Sequence, residues 1–316
     1  MEDLLVKYGI VFAKRFTLKQ RQRFLLSINE DFTKAGYKTK FANNDRKRNA
    51  RAVNLFIGDI GEADTIICTH HDTPLKVFWP NYKYFPLNGQ LSNKALKMTT
   101  LIPDLLATIL GVVAILIYLN NPNLGGDFRT VWLLATVFLS FLFASLISRG
   151  TSNKYNINRN TAAILALLDT ALKLNKKSRK KIAFILFDKC CSDNSGAQML
   201  RQALPTTMDK KTFIYLDCIG KGDNLVIAHK ERQIKESQRL LKEYKGSQNA
   251  KTYLLDDGDT IYTPTYFFKQ AIIITSGNYD KNGNFYVDKV NSSADKFVDI
   301  PTIEAISSML ITHFNK

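Results

Sequence analysis

Two apolar runs in the middle of the chain constrain its fold more than any other feature. "LIPDLLATILGVVAILIYLN" (101–120) and "TVWLLATVFLSFLFASLIS" (130–148) are separated only by "NPNLGGDFR". Each has the length of a helix that crosses roughly 30 Å of hydrocarbon. A domain of this size would struggle to cover two such helices in tandem. The sequence therefore predicts a transmembrane helical hairpin, 99–149, set between two soluble parts. Lys76, Lys83, Lys94 and Lys97 precede the first span, and Arg149, Lys154 and Arg159 follow the second. The connecting loop offers Arg129, beside Asp127. Basic excess marks the cytoplasmic side, so residues 1–98 and 150–316 are expected in the cytoplasm, at a cell membrane crossed twice. Tyr118 and Trp132 fall at the loop ends of the spans, where an aromatic belt is expected. "VFWPNYKYFPLNG" (77–89) mixes aromatics, prolines and lysine as a segment lying along headgroups does.

Charge agrees with that placement. The 316 residues include 44 Lys and Arg against 28 Asp and Glu, a net charge of +16. A domain held against an anionic leaflet gains about 1 kcal/mol from each nearby cation, so the lipid bilayer and its anionic headgroups are expected partners. Nucleic acid is not needed to explain the charge. Cys68, Cys190, Cys191 and Cys218 lack the spacing of a disulfide framework or a zinc ribbon and read as reduced thiols. The opening stretch, "MEDLLVKYGIVFAKRF", has no unbroken apolar segment, and no signal peptide is expected there.

The flanking parts alternate strands with helices. Residues 17–36 read as an amphipathic helix with a Thr N-cap and a Gly stop. Residues 52–61 and 63–73 read as strands. An Asn-capped helix is expected over 156–177, a strand at 181–187, and a helix over 194–204 that Pro205 stops. Strands follow at 212–217 and 224–229, then a charged helix at 230–246, strands near 270–275 and 285–290, and a last helix at 301–314. This order predicts one discontinuous three-layer α/β/α sandwich with a mostly parallel or mixed sheet.

In such sheets functional groups gather at the carboxyl ends of strands. Those ends carry "THHD" (69–72), "DKCCSD" (188–193) and "LDCIG" (216–220), while a helix start carries "NRN" (158–160) and a late loop "NSSAD" (291–295). The five clusters, in this order, resemble the co-catalytic zinc aminopeptidases, metallopeptidase family twenty-eight, whose relatives include glutamate carboxypeptidase and the transferrin receptor ectodomain. The resemblance implies two zinc ions sharing a carboxylate, with a His and a carboxylate for each and a Glu as general base on the bridging water. On it, His70 matches a ligand of the first metal, Asp72 the carboxylate that orients it, and Asp217 the first metal's carboxylate.

The remaining positions depart from that pattern. Arg159, followed by Asn160, stands where the bridging Asp is implied. Cys190 stands at the general base, Cys191 at the second metal's carboxylate, and Asn291, ahead of Asp295, at its final His. Like charges at about 4 Å repel by several kcal/mol in a partly buried site, so Arg159 would exclude metal and satisfy Asp217 or Asp72 instead. His71 reads as a packed neighbour. The expectation is a vestigial metal site without cofactor, in a non-catalytic peptide-binding or accessory subunit of a membrane complex, with a membrane-protein partner. The alternative is a hydrolase with a remodelled thiol or single-zinc site, in which His70 and Asp217 hold the metal with Cys191.

Overall fold

The computed structural model describes residues 1–46, 50–77, 82–120, 126–149 and 151–316. Of the loop expected between the two apolar runs, 121–129, residues 121–125 lie outside the described residues, as does the core of the aromatic segment, 78–81, while 126–129 are helical. The chain divides into two compact units, residues 1–92 with 152–316, and residues 93–151.

Among its described residues the larger unit is built on ten strands, β1 (Thr39–Asn43), β2 (Val53–Ile57), β3 (Thr65–His70), β4 (Lys83–Tyr84), β5 (Ile182–Phe187), β6 (Thr212–Leu216), β7 (Asn224–His229), β8 (Asn249–Leu254), β9 (Ala271–Tyr279) and β10 (Phe285–Asp288). Their order is β1-β2-β5-β3-β6-β9-β10-β4, with β7 and β8 extending from β9. The sheet is mixed. β5, β3, β6 and β9 run parallel at its centre, and β1, β2, β7, β10 and β4 pair antiparallel around them.

Helices cover both faces. The chain contains α1 (Glu2–Val6), α2 (Leu18–Lys34), α3 (Gly89–Asn120), α4 (Gly126–Arg149), α5 (Ala162–Lys173), α6 (Ser195–Ala203), α7 (Pro205–Met208), α8 (Ile234–Glu243), α9 (Asp257–Thr260) and α10 (Ile300–Phe314). One apolar cluster joins Phe24 and Ile28 of α2, Leu165 and Leu168 of α5 and Ile306 of α10 to Phe184. The other, across the sheet, joins Leu200 of α6 to Phe187, Phe213 and Phe268. Each such fully buried side chain contributes about 1.5–3 kcal/mol. Gly196 stands in the first turn of α6 because a Cβ there would collide with the Asp188 carbonyl and Asn54 Oδ1.

Several local expectations are refined. Thr17 does cap α2, in a reciprocal box with Gln20, and Gly36 follows at φ 84°. The expected Asn cap at residue 156 is replaced. Asn156 makes no side-chain cap bond, a π-helical turn spans Ile157–Thr161, and α5 follows with Ala162 to Ala171 all buried. Pro205 does not simply stop a helix; it occupies the first turn of α7. β1 and β8 were not foreseen, and their mostly exposed residues explain why: neither strand shows an apolar alternation.

In the smaller unit the first apolar run lies within α3, which is long and apolar enough to cross a membrane. Only 12% of its apolar window is buried, unlike a core helix such as α5. The second run lies within α4. Its described apolar part, Thr130–Phe143, is shorter than a span.

Candidate functional site

Sheet register brings the polar clusters together. His70 pairs with Phe187 across β3 and β5, and Cys68 with Tyr215 across β3 and β6. His70, Asp188 and Asp217 therefore leave the carboxyl ends of three adjacent parallel strands. Three non-glycine residues in left-handed backbone flank this edge: Lys189 at φ 62°, Cys218 at φ 53° and Asn291 at φ 59°. Such conformations cost on the order of 1 kcal/mol each and gather at functional sites.

Arg159 and Asp217 form a buried ion pair, Nη1 donating to Oδ1, with both side chains at most 6% exposed. The guanidinium lies 4.3 Å from the Tyr84 ring centroid, and the Tyr84 hydroxyl donates to Asp217 Oδ2 at 2.7 Å. Burial is the largest influence and works against the Arg159 charge, but Asp217 together with Tyr84, Cys191 and Cys218 outweighs it and the group stays protonated. Asp295 fixes the turn that carries Arg159, accepting the backbone N–H of Asn158 at 2.7 Å and of Arg159 at 3.0 Å. It takes the capping role expected of Asn156.

His70 is fully buried, with Nδ1 at 2.8 Å from the Tyr215 hydroxyl and Nε2 without a partner among the described residues. Burial, with Arg159 next, holds its pKa well below the usual imidazole range, so the ring is neutral. The expectation that Asp72 orients His70 does not match this geometry. Asp72 instead accepts the backbone N–H of Cys190 at 3.0 Å and of Cys191 at 2.9 Å, and Tyr215, from the neighbouring strand, holds the imidazole. Cys191 Sγ lies 3.5 Å from the Asp72 carbonyl. Both thiols are pushed well above the ordinary range, by burial first and by Asp72 next. Asn291 is buried; its Nδ2 reaches the Tyr82 hydroxyl at 3.5 Å, and its Oδ1 has no partner among the described residues.

A second layer of buried polar groups lies beside these, and in it Arg15 and Arg21 are the residues that no motif pointed to. His71 Nε2 meets the Val53 carbonyl at 3.0 Å, and its ring stacks on Phe24. Arg21 and Asp188 form an ion pair with side chains 1% and 0% exposed. Arg15 is fully buried and donates to Asn160 Oδ1 at 2.5 Å and Thr161 Oγ1 at 3.0 Å. Its pKa falls to about 9 through burial. Asn160 in turn donates to the Asp72 carbonyl at 2.6 Å. Tyr82 and Tyr84 belong to the segment expected along headgroups. Tyr82 is buried, and Tyr84, in β4, pairs with Val287 of β10 at the sheet edge.

These residues do not fit a pair of zinc ions. Such ions need clustered anionic or neutral donors, with a shared carboxylate between them. Here a guanidinium occupies Asp217, Asp72 is committed to two backbone amides, and the thiols are held protonated. Among the described residues no three His, Cys, Asp or Glu are grouped to hold a metal.

No family model and no curated protein sequence matches the chain. Solved structures share its fold. A Zn-dependent exopeptidase from Parabacteroides distasonis has a TM-score of 0.55 at 14% identity, over 98% of this chain and 96% of that one. A Porphyromonas gingivalis glutaminyl cyclase has a TM-score of 0.57 at 11% identity, over 98% and 94%. LapB from Legionella pneumophila has a TM-score of 0.58 at 9% identity, over 99% and 68%. At these identities the likeness is one of fold: the chain has the mixed α/β architecture of a zinc-dependent exopeptidase and of glutaminyl cyclases.

Proposed function

We propose that this chain is a membrane-anchored, non-catalytic member of the zinc-peptidase fold, acting as an accessory or scaffold subunit of a membrane complex. Its cleft is retained as a peptide-binding surface. The buried Arg159–Asp217 ion pair carries the reading. It sets a permanent cation against the carboxylate that the resemblance assigns to the first metal, and so supplies from within the chain the charge a metal would bring. Hydrolysis needs an activated water and a general base. Cys190 stands at the base position with its thiol held protonated. Membrane anchoring is supported by the apolar length of α3. Two spans with the larger unit in the cytoplasm is the arrangement that the basic flanks favour.

The test is release of N-terminal residues from peptides by the protein purified in mild detergent, with zinc supplied. No chelator-sensitive release is expected, and a membrane protein should co-purify in fixed ratio. Chelator-sensitive release abolished by His70→Ala would show a rebuilt active site instead.

A further inference from the structure

Three chain segments meet where the larger unit resumes after α4. Leu75 pairs with Ser152 in an antiparallel bridge, Asn153 Nδ2 donates to the Ser292 carbonyl at 3.0 Å, and the Val77 N–H to the Asn291 carbonyl at 2.7 Å. On this junction Lys154 and Lys296 converge on one ring. Their ammonium groups lie 5.5 Å and 4.8 Å from the Tyr155 centroid. Both lysines are exposed, and among the described residues neither has a carboxylate partner. The sole acid in 151–156 and 291–298 is Asp295, which is buried and turned inward onto the amides of Asn158 and Arg159. Next to Lys296, Phe297 is 74% exposed, although Val298 beside it packs against the core.

Two unpaired cations, an aromatic ring between them and a bare Phe at the tip form a surface matched to phosphate headgroups above an apolar layer. A soluble protein partner would need carboxylates for the same lysines, but only four residues separate Arg149, the end of α4, from Lys154. We infer that Lys154, Tyr155, Lys296 and Phe297 form an anionic-lipid docking surface. The lysines pair with headgroup phosphates and Phe297 enters the headgroup–acyl boundary. This rests on the membrane-anchored reading and adds which face of the larger unit meets the acidic lipid, and through which residues.

Hydrogen–deuterium exchange of the full chain in nanodiscs tests it, comparing phosphatidylcholine alone with phosphatidylcholine containing phosphatidylglycerol. Residues 293–298 should exchange roughly thirty-fold more slowly in the acidic discs, about five-fold for each lysine. That protection should vanish in high salt and in Lys154→Gln/Lys296→Gln, while exchange in β3 and β6 is unchanged. Equal exchange in both discs would overturn the inference and leave the anchor standing. Protection that appears only when other membrane proteins are added would assign the surface to a protein. Failure of the chain to enter discs at all would remove the anchored reading, and the inference with it.

Discussion

Among its described residues the larger unit contains two buried Arg–Asp pairs a few residues from the same sheet edge, and they are built differently. In Arg21–Asp188 nearly every polar atom has a partner. Asp188 accepts Arg21 Nε at 3.0 Å and the N–H of Val53 and Lys189, both at 2.9 Å. Arg21 donates onward to the Phe16 and Arg51 carbonyls at 2.6 and 2.9 Å. In Arg159–Asp217 the guanidinium Nε has no partner among the described residues, and neither do the neighbouring His70 Nε2 and Asn291 Oδ1. Buried polar groups usually find partners. The first pair is a clasp on which four backbone groups depend. The second leaves its own guanidinium Nε unused, whereas beside the first pair the unpartnered atom among the described residues is His71 Nδ1, outside the pair itself.

Replacement by apolar residues separates the two most sharply. Arg21→Met/Asp188→Leu strands two amides and two carbonyls, each costing about 1–3 kcal/mol, out of a total stability of about 5–15 kcal/mol. That variant should fail to fold cooperatively, as judged by circular dichroism in denaturant. At the other pair, Asp217→Ala leaves the Arg159 charge buried alone and should cost about 3–5 kcal/mol. Arg159→Met/Asp217→Leu removes both charges and should return to within about 2 kcal/mol of wild type. If the two double variants behave alike, the contrast is wrong.

Asp295 sharpens the comparison through pH. Burial pushes its carboxyl from 3.8 up to about 7. A folded-state pKa above the unfolded value means that the folded chain holds the proton more tightly. This contribution to stability therefore falls as pH rises from 3.8 to about 7, and stays low above that. Burial raises Asp72 and Asp188 in the same direction, so the Asp295 share is the difference from Asp295→Asn. Denaturation midpoints at about pH 5 and about pH 8 should drop further in wild type than in that variant. Equal drops would remove Asp295 from the account.

The thiols give the smallest stability effect. With both pKa values raised, Cys190 and Cys191 should react with iodoacetamide at neutral pH at least about ten-fold more slowly than a free thiol. Their joint replacement by Ser should shift stability by no more than about 2 kcal/mol. Rapid alkylation of either would revive the thiol-based alternative.

Much of the candidate site was legible because α/β sheets place polar groups at strand ends: His70, Asp217 and the cysteines all fall there. Arg21 also left a signal. It occupies the helical stripe of Phe24, Leu25, Ile28 and Phe32, where a charge implies a buried partner. Tyr215 and Tyr84 left none. The bond from Tyr215 to His70 depends on the register between β3 and β6. Tyr84 reaches Asp217 only because β4, two residues long, pairs with β10 about two hundred residues away. No local pattern encodes such contacts. For the same reason the resemblance assigns Asp72 to His70, since a matched motif does not show the two amides that claim the carboxylate.

The central claim, that Arg159 has taken the place of the metals, is tested most directly by titrating zinc into the chelator-treated protein by calorimetry, with His70→Ala in parallel. The account predicts no stoichiometric binding that distinguishes wild type from His70→Ala. One or two zinc ions bound per chain, lost in His70→Ala and in Asp217→Ala, would contradict it.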